Sequence, residues 1–494
     1  MSETSIIDST ILETYEPVIG LEVHAQLLTQ AKAFSRAATE FGPTPNTNTD
    51  PVVLGHPGTL PTVNRLLVEH TVRMGLATNC RIRPRSRFSR KNYFYPDLPK
   101  GYQISQYDDP ICHDGWVEID LEGEVKRIRI NRIHMEEDTG KMIHDLDINN
   151  TLVDLNRAGA CLIEIVSEPD IHSSREAYLY LMQIKSIVTY LGICSGNMEE
   201  GALRCDANIS VRKRGAEKFG TRTEVKNMNS FRNVERAIEH EIARQIELLE
   251  SGGQVVQQTR MWDAASRTTR TMRSKESAHD YRYFPEPDLL AVIVTDEMMQ
   301  AARAALPELA IARRRRFAEE YGLPAYDAGV LTETRDLGDY FEATANALKQ
   351  KSTERFKLVS NIIMTEVLRV LTESKTEITD FAIQPDRLAG LVELFASDAI
   401  SSKNVKDIFG AMLESDRSAG EISAEKGFVQ ISDNGFIEDA VQQVLTANAQ
   451  QLEAYRGGKT NLFGFFVGET MKLTRGKANP KLVNEILRAK LDEA

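Results

Sequence analysis

The sequence predicts an α+β protein in which a mostly antiparallel sheet is followed by helical regions. From about residue 17 to 290 the chain reads as short strands between Gly, Pro and Asn turns, with two amphipathic helices interposed. After residue 288 the pattern changes to long helices. Polar side chains alternate with apolar ones in two strand-like runs, which is typical of a sheet with one face on a core and one polar face.

The alternation places acidic and basic side chains on a shared face in each of the two runs. The polar positions are Glu22, His24 and Gln26 in the first run, and Arg204, Asp206, Asn208 and Ser210 in the second. A single half-solvated strand would look the same, so the pattern alone does not define a site. A face lined with carboxylates is also what binds hard cations such as Mg²⁺ together with substrate phosphates.

Two further acidic segments strengthen the prediction of one site. Glu164 lies in the run 162–166, which is apolar on both faces, and a carboxylate there must be paired or metal-bound to tolerate burial. The run 136–138 is Glu-Glu-Asp and, taken alone, would be read as a solvated turn. The coincidence of four such segments favours a single acidic site over four independent accidents.

Length and composition limit the class of protein. With 494 residues the chain should hold two or three domains, and 41% hydrophobic and 27% charged residues are ordinary for a soluble protein. No apolar stretch approaches the roughly 20 residues that span a bilayer, and the first 16 residues are acidic and polar, so we expect a cytoplasmic protein with no membrane contact. The five cysteines show no CxxC spacing, which argues against disulfides and a cysteine-rich zinc site.

The charge is distributed unevenly along the chain. The net charge is −12, yet residues 456–490 contain eight Lys or Arg and two acidic residues. A basic run is most often a solvated face, but on an acidic protein it also fits a surface that contacts a phosphate backbone. Within it, Lys472, Arg475 and Lys477 lie within six residues.

Capping and breaker residues predict the helices and domain limits. Ser173 begins a helix that ends at Gly192, and a second helix runs from near Ser230 to Gly252. The Pro-rich stretch 285–288 and the segment 415–420 mark boundaries. We predict a flexible N-terminal segment (1–16), a catalytic domain (17–294), a helical domain (295–415) and a helical tail (416–494).

Several long motifs resemble the B subunit of the aspartyl/glutamyl-tRNA amidotransferase over nearly the whole chain. The motifs are 20–27, 45–48, 90–103, 154–157, 199–201, 224–231 and 476–480. The resemblance implies a cradle-shaped catalytic domain distantly like glutamine synthetase, then a helical domain and a tail that touches tRNA. It also implies a glutamine-dependent carbon–nitrogen ligase, in which ATP phosphorylates the side-chain carboxylate of Glu or Asp on mischarged tRNA(Gln) or tRNA(Asn) and ammonia then attacks.

The resemblance assigns roles to the acidic and basic residues, with ATP and Mg²⁺ as cofactors. Metal ligands are Glu22, His24, Glu137 and Glu164; catalytic residues are Lys91, Glu136, Glu137, Glu164 and Asp206; nucleotide-binding residues are Lys91, Arg204 and Lys226; tRNA-binding residues are Lys472, Arg475 and Lys477. Two alternatives stay open, since His24 could serve to hydrogen-bond Glu22, and Lys91 could pair with an acid instead of a phosphate.

The chain lacks an ammonia source and a zinc motif. It starts Met1-Ser2 and its first cysteine is Cys80, so we expect no N-terminal cysteine glutaminase. The resemblance implies a heterotrimer, in which an amidase A subunit supplies ammonia and a small C subunit wraps around both. Many relatives bind zinc through two Cys pairs at positions that here hold Ser35, Ala37, Asp50 and Val53, so we expect no zinc on elemental analysis.

Two other hypotheses for the function compete with an active amidotransferase subunit. One is a tRNA-binding scaffold with a decayed kinase site, and the other is a free-standing ATP-dependent amide ligase.

Overall fold

The computed structural model describes residues 11–121, 123–144, 146–274, 281–428, 434–474 and 478–492. The chain forms two compact units, one ending at Leu309 and the other beginning at Ala310. The mixture of one large sheet with many helices confirms the α+β prediction at that level, whereas likeness to glutamine synthetase stays a prediction.

All strands of the described residues lie in the first unit. In the described residues they are β1 (Tyr15–Gln26), β2 (Arg81–Ile82), β3 (Arg85–Ser86), β4 (Ser89–Asn92), β5 (Tyr102–Ser105), β6 (Cys112–Leu121), β7 (Glu124–Glu137), β8 (Lys141–Ile143), β9 (Leu152–Asp154), β10 (Cys161–Ser167), β11 (Leu203–Lys213), β12 (Thr223–Met228), β13 (Gln258–Asp263), β14 (Thr268–Ser274), β15 (Phe284–Pro285) and β16 (Val292–Ile293).

The main sheet has the order β14-β13-β12-β11-β1-β10-β7-β6-β2. Its neighbours are antiparallel except β12 and β13, which are parallel with Thr223 opposite Gln258. This pair departs from the predicted antiparallel sheet because a long helix lies between the two strands in sequence, and a crossover of that kind returns the chain in the same direction. Smaller sheets join β15-β4-β5, β16-β3 and β8-β9.

The helices of the first unit are α1 (Ile11–Thr14), α2 (Arg65–Ala77), α3 (Ser174–Tyr190), α4 (Phe231–Glu250) and α5 (Asp296–Ala304). Helices α2 to α5 pack their apolar sides into one core with the buried face of the sheet, whereas α1 contributes no buried residue. The predicted N-terminal caps are confirmed, since the Ser173 and Ser230 hydroxyls accept hydrogen bonds from the backbone of Glu176 and Asn233. The opposite face of the sheet carries the polar side chains.

The second unit is built from helices. In order they are α6 (Ala310–Glu320), α7 (Ala325–Leu331), α8 (Arg335–Ala347), α9 (Thr353–Ile362), α10 (Leu368–Ser374), α11 (Pro385–Ala396), α12 (Ser402–Leu413), α13 (Ala419–Glu425), α14 (Asn434–Ala447), α15 (Ala449–Arg456), α16 (Phe463–Leu473) and α17 (Pro480–Asp492). A π-helical turn, Ile363–Val367, joins α9 to α10, and 3₁₀ turns occupy Ile378–Asp380 and Thr460–Leu462. None of the helices in the described ranges is long and apolar enough to cross a bilayer.

Apolar clusters show how the predicted domains relate to packing. One cluster of the second unit extends from Phe317 to Ile422, and another from Ile437 to Leu491. In the first unit, α5 contributes Ala302 to the core although it lies beyond the predicted limit at residue 294. Helix α1 and the start of β1 precede residue 17, and the rest of the predicted flexible segment, 1–10, lies outside the described residues.

Candidate active site

Three central strands place the predicted polar residues side by side on the sheet. His24 of β1 is directly opposite Glu164 of β10, and Glu164 is directly opposite His134 of β7. On the other side of β1, Glu22 is opposite Asp206 of β11. Directly opposed residues on neighbouring strands share a face, so this register gathers side chains that are far apart in sequence.

The first cluster consists of His24, Glu136 and Glu164, whose potential ligand atoms all lie within 4.8 Å of one another. His24 Nε2 is 3.5 Å from Glu136 Oε1 and 3.5 Å from Glu164 Oε2. His134 contacts both carboxylates, with its Nε2 at 3.3 Å from Glu164 Oε2 and 3.7 Å from Glu136 Oε2. One imidazole and two carboxylates facing a common point form a donor set suited to a divalent cation.

In the first cluster the imidazoles and carboxylates stabilise one another's charges. Burial alone would lower the pKa of His134, but the neighbouring Glu164 and Glu136 carboxylates outweigh burial and raise this pKa to about 9. Burial alone would raise the pKa of Glu164, but His134 and His24 outweigh it and hold this pKa well below its usual range. The carboxylate therefore stays ionised in a buried setting, as a metal ligand must.

The second cluster consists of Glu22, Asp206 and Glu224, whose potential ligand atoms also lie within 4.8 Å of one another, and it contains only carboxylates. Burial, then the charges of Glu164, Asp206 and Glu224, raise the pKa of Glu22 above its ordinary value. Lys226 partly offsets this repulsion, with Nζ at 2.5 Å from Asp206 Oδ2 and 3.3 Å from Glu224 Oε1. Three mutually repelling carboxylates fit a hard cation.

Glu137 and Asp138 contact other residues than Glu136 does and belong to neither cluster. Glu137 follows Glu136 on the same strand, and consecutive strand residues point to opposite faces. Its Oε1 accepts a hydrogen bond from Ile104 N at 2.9 Å and pairs with Lys100, so it lies apart from both clusters although it was predicted as a ligand. Asp138 Oδ2 accepts a hydrogen bond from Arg204 Nη2 at 2.7 Å.

Lys91 brings a cation to the first cluster. It lies on β4, and its Nζ is 4.9 Å from the centroid of the Tyr281 ring. Burial alone would lower the pKa of Lys91, but charge interactions with Tyr283, Glu136 and Glu164 raise it above its ordinary value. The structure thus places Lys91, Arg204 and Lys226, the predicted nucleotide-binding residues, around the two acidic clusters.

A cavity of about 520 Å³ adjoins the clusters along β11. Arg204 and Asp206 line one part of it, and the loops at 199–201 and 39–43 line others. Its size is in the range of small-molecule sites, roughly 300–1,000 Å³. A substrate group in this cavity would therefore lie next to the carboxylates.

The loop with the four replaced cysteine positions is held by hydrogen bonds. Asp50 Oδ1 accepts a hydrogen bond from Val53 N at 2.9 Å, and Ser35 Oγ accepts one from Ala37 N at 3.3 Å. Lys32 is fully buried beneath the loop, where its Nζ donates to the carbonyl oxygens of Asn48 and Leu155. Burial lowers the pKa of Lys32 to about 8. These contacts show what holds the loop, which the sequence alone leaves open.

The predicted tRNA-binding residues are described only in part. Lys472 is in the last turn of α16, with 78% of its side chain exposed and Nζ at 3.4 Å from Glu469 Oε1. Arg475 and Lys477 lie outside the described residues. Another basic run, 313–316, is less available, because Arg313 is buried against Asp339 and Glu342.

Sequence reasoning missed one residue of the clusters, Glu224, and His134, which contacts the first cluster. His134 alternates with Glu136 across the apolar Met135, and Glu224 alternates with Lys226 across Val225. The same period of two that identified Glu22 and Asp206 would have found both. Their significance depends on which strands are neighbours, which the sequence does not show.

Comparison with known proteins identifies the family of this chain. Residues 17–300 match the GatB/GatE catalytic domain and residues 339–491 match the GatB domain. The chain therefore belongs to the family of B subunits of the aspartyl/glutamyl-tRNA amidotransferase, which confirms both the predicted family and its enzyme class, the ligases.

Similarity to curated relatives extends over nearly the full length. The B subunit of the aspartyl/glutamyl-tRNA(Asn/Gln) amidotransferase of Chlorobaculum tepidum is 55% identical over 97% of this chain and 99% of its own length. The proteins of the same name from Chlorobium limicola and Salinibacter ruber are 54% and 53% identical, again over 97% of this chain, and over 99% and 97% of their own lengths.

Proposed function

We propose that this chain phosphorylates the side-chain carboxylate of Glu or Asp on mischarged tRNA with ATP and amidates it with ammonia from a partner amidase. The products would be Gln-tRNA(Gln) or Asn-tRNA(Asn). The observation that carries the proposal is the pair of acidic clusters on one sheet face with three cations around them. Phosphoryl transfer depends mainly on positioning and charge neutralisation, and this arrangement provides both.

The donor sets fit Mg²⁺. His24, Glu136 and Glu164 would hold one ion, and Glu22, Asp206 and Glu224 a second. Bound there, Mg²⁺ would neutralise the phosphate oxygens of ATP and of the acyl phosphate. The three carboxylates of the second cluster have the greater need of a cation, because burial and mutual repulsion disfavour the charged form of Glu22.

The cationic side chains have separate tasks in this proposal. Lys91 supplies positive charge where the first cluster faces β4, and Lys226 does so at the second cluster. Arg204 is tied by Nη2 to Asp138, which fixes the guanidinium beside the cavity. Phosphorylation gives the substrate carboxylate a good leaving group, so none of these residues needs to form a covalent intermediate.

Ammonia must come from elsewhere in this scheme. The five cysteines are all buried and free, and burial raises the pKa of the Cys112 thiol well above its ordinary value, which disfavours a thiolate nucleophile. We therefore propose an assembly with an amidase A subunit and a small C subunit.

The direct test is reconstitution of this chain with both partner subunits, ATP, Mg²⁺ and glutamine on Glu-tRNA(Gln) and, separately, Asp-tRNA(Asn). We expect amide formation that requires ATP, and the comparison of the two tRNAs identifies the substrate. Tight tRNA binding without ATP cleavage would instead indicate a scaffold, and amidation of free glutamate would indicate a free-standing ligase.

The tail is proposed to bind the tRNA backbone through Lys472, Arg475 and Lys477. If each contacts one phosphate, replacing all three by Ala should reduce the slope of log affinity against log salt by roughly 2 to 3. We expect a higher KM for charged tRNA, an unchanged KM for ATP and a preserved kcat at saturating tRNA. Normal tRNA titration at every salt concentration would contradict this. It would favour one of two other basic runs, residues 81–91, which hold five Arg and one Lys, or residues 313–316.

A further inference from the structure

The cavity beside the clusters contains two carboxylates that have no partner among the described residues. Glu199 and Glu200 line it, and within the described part of the chain neither carboxylate forms an ion pair or hydrogen bond. Their backbone N–H groups both donate to Asn197 Oδ1, at 2.9 and 3.3 Å, so the loop that bears them is fixed. Both residues are exposed, so their two adjacent carboxylates are open to a cationic group of a ligand in the cavity.

Positive charge lies elsewhere on the cavity wall. Arg204 uses Nη2 for Asp138, while its Nε is buried without a hydrogen-bond partner among the described residues. Arg157, another lining residue, donates to the carbonyl oxygens of Thr139 and Gly140. The cavity therefore presents an anionic loop and a cationic strand residue to the same ligand.

We propose that this cavity is the aminoacyl subsite, in which Glu199 and Glu200 bind the α-ammonium group of the amino acid esterified to tRNA while its side-chain carboxylate faces Arg204 and the clusters. This rests on the proposed function and adds the orientation of the substrate. An aminoacyl ester of Glu or Asp has one ammonium and one carboxylate, which matches the two charged parts of the wall. The exposed Phe41 ring, with 80% of its surface accessible, lines the same cavity and suits stacking on the terminal base.

The test compares charged tRNA that has a free α-amine with the same tRNA after N-acetylation. Dissociation constants are measured for the full complex at about pH 6.5, below the usual α-amine pKa of about 7.7–8.0. We expect the wild type to bind the free amine about 10- to 30-fold more tightly, the contribution of one charge-assisted hydrogen bond. The Glu199→Gln/Glu200→Gln variant should lose this preference and bind the acetylated form as the wild type does.

The control variant is Glu124→Gln/Glu217→Gln, which removes two exposed carboxylates outside the cavity lining and should keep the preference. Equal wild-type affinity for both tRNAs, or an equal loss on both in the Glu199/Glu200 variant, would overturn the subsite. Because binding is measured without ATP, this outcome is separate from failure of the complex to form an amide, which would refute only the proposed reaction.

Discussion

Replacing Glu164 by Gln should abolish ATP-dependent amide formation while the protein stays folded. The carboxylate lies between two imidazoles, 3.5 Å from His24 Nε2 and 3.3 Å from His134 Nε2, and Gln removes its charge at nearly constant volume. Loss of an outer partner of a metal site commonly costs 10- to 100-fold, so loss of a ligand should exceed about 100-fold in kcat. The measurement is amide formation by the reconstituted complex at saturating Mg²⁺, with Mn²⁺ binding measured in parallel.

Glu168→Gln is the matched control for this substitution. Glu168 directly follows β10, but its Oε1 accepts a hydrogen bond from Asn131 Nδ2 at 2.7 Å, outside the cluster. Activity of Glu164→Gln within a few-fold of wild type would remove Glu164 from the site.

Gln substitutions of Glu136 and Glu137 should lower the rate of amide formation to different extents, because only Glu136 faces His24. If neither substitution changes the rate, the acidic run is only structural.

The sequence was sufficient to predict the polar face, because period-two alternation depends only on the backbone of each strand. Leu21, Val23 and Ala25 are fully buried, and Glu22 and His24 occupy the alternate positions, as predicted. The sequence did not show whether Glu136 or Glu137 lies in the first cluster. The answer depends on the register at the end of β7, where a shift of one residue exchanges the two faces of the strand.

Which residues share each cluster could not be predicted from the sequence. The grouping arises because β1 pairs with β10 on one side, where Glu164 is opposite His24, and with β11 on the other, where Asp206 is opposite Glu22. Strand order is fixed by long-range packing and not by local pattern. The same reason explains why buried Lys32 was overlooked: its partners, Asn48 and Leu155, are 16 and 123 residues away.

Lys91→Met should separate the two roles that the sequence leaves open for this lysine. If the ammonium meets a phosphate in the transition state, its removal should lower kcat by about 100- to 1,000-fold, the usual cost of one preorganised donor. If it only neutralises acids, kcat should stay within a few-fold. In both cases the affinity for Mn²⁺ should rise, because a cation that interacts with Glu136 and Glu164 competes with a metal for the same charges.

Opposite changes in metal affinity and turnover would therefore identify Lys91 as a phosphate-binding residue, since a variant that is merely misfolded would lose both. Lys126→Met is the control, because Lys126 also pairs with a carboxylate, at 2.7 Å from Glu176 Oε2, but on a part of β7 distant in sequence from the clusters. It should change neither quantity. A Lys91 variant with raised metal affinity and normal turnover would assign the phosphate charge to Lys226 and Arg204 instead.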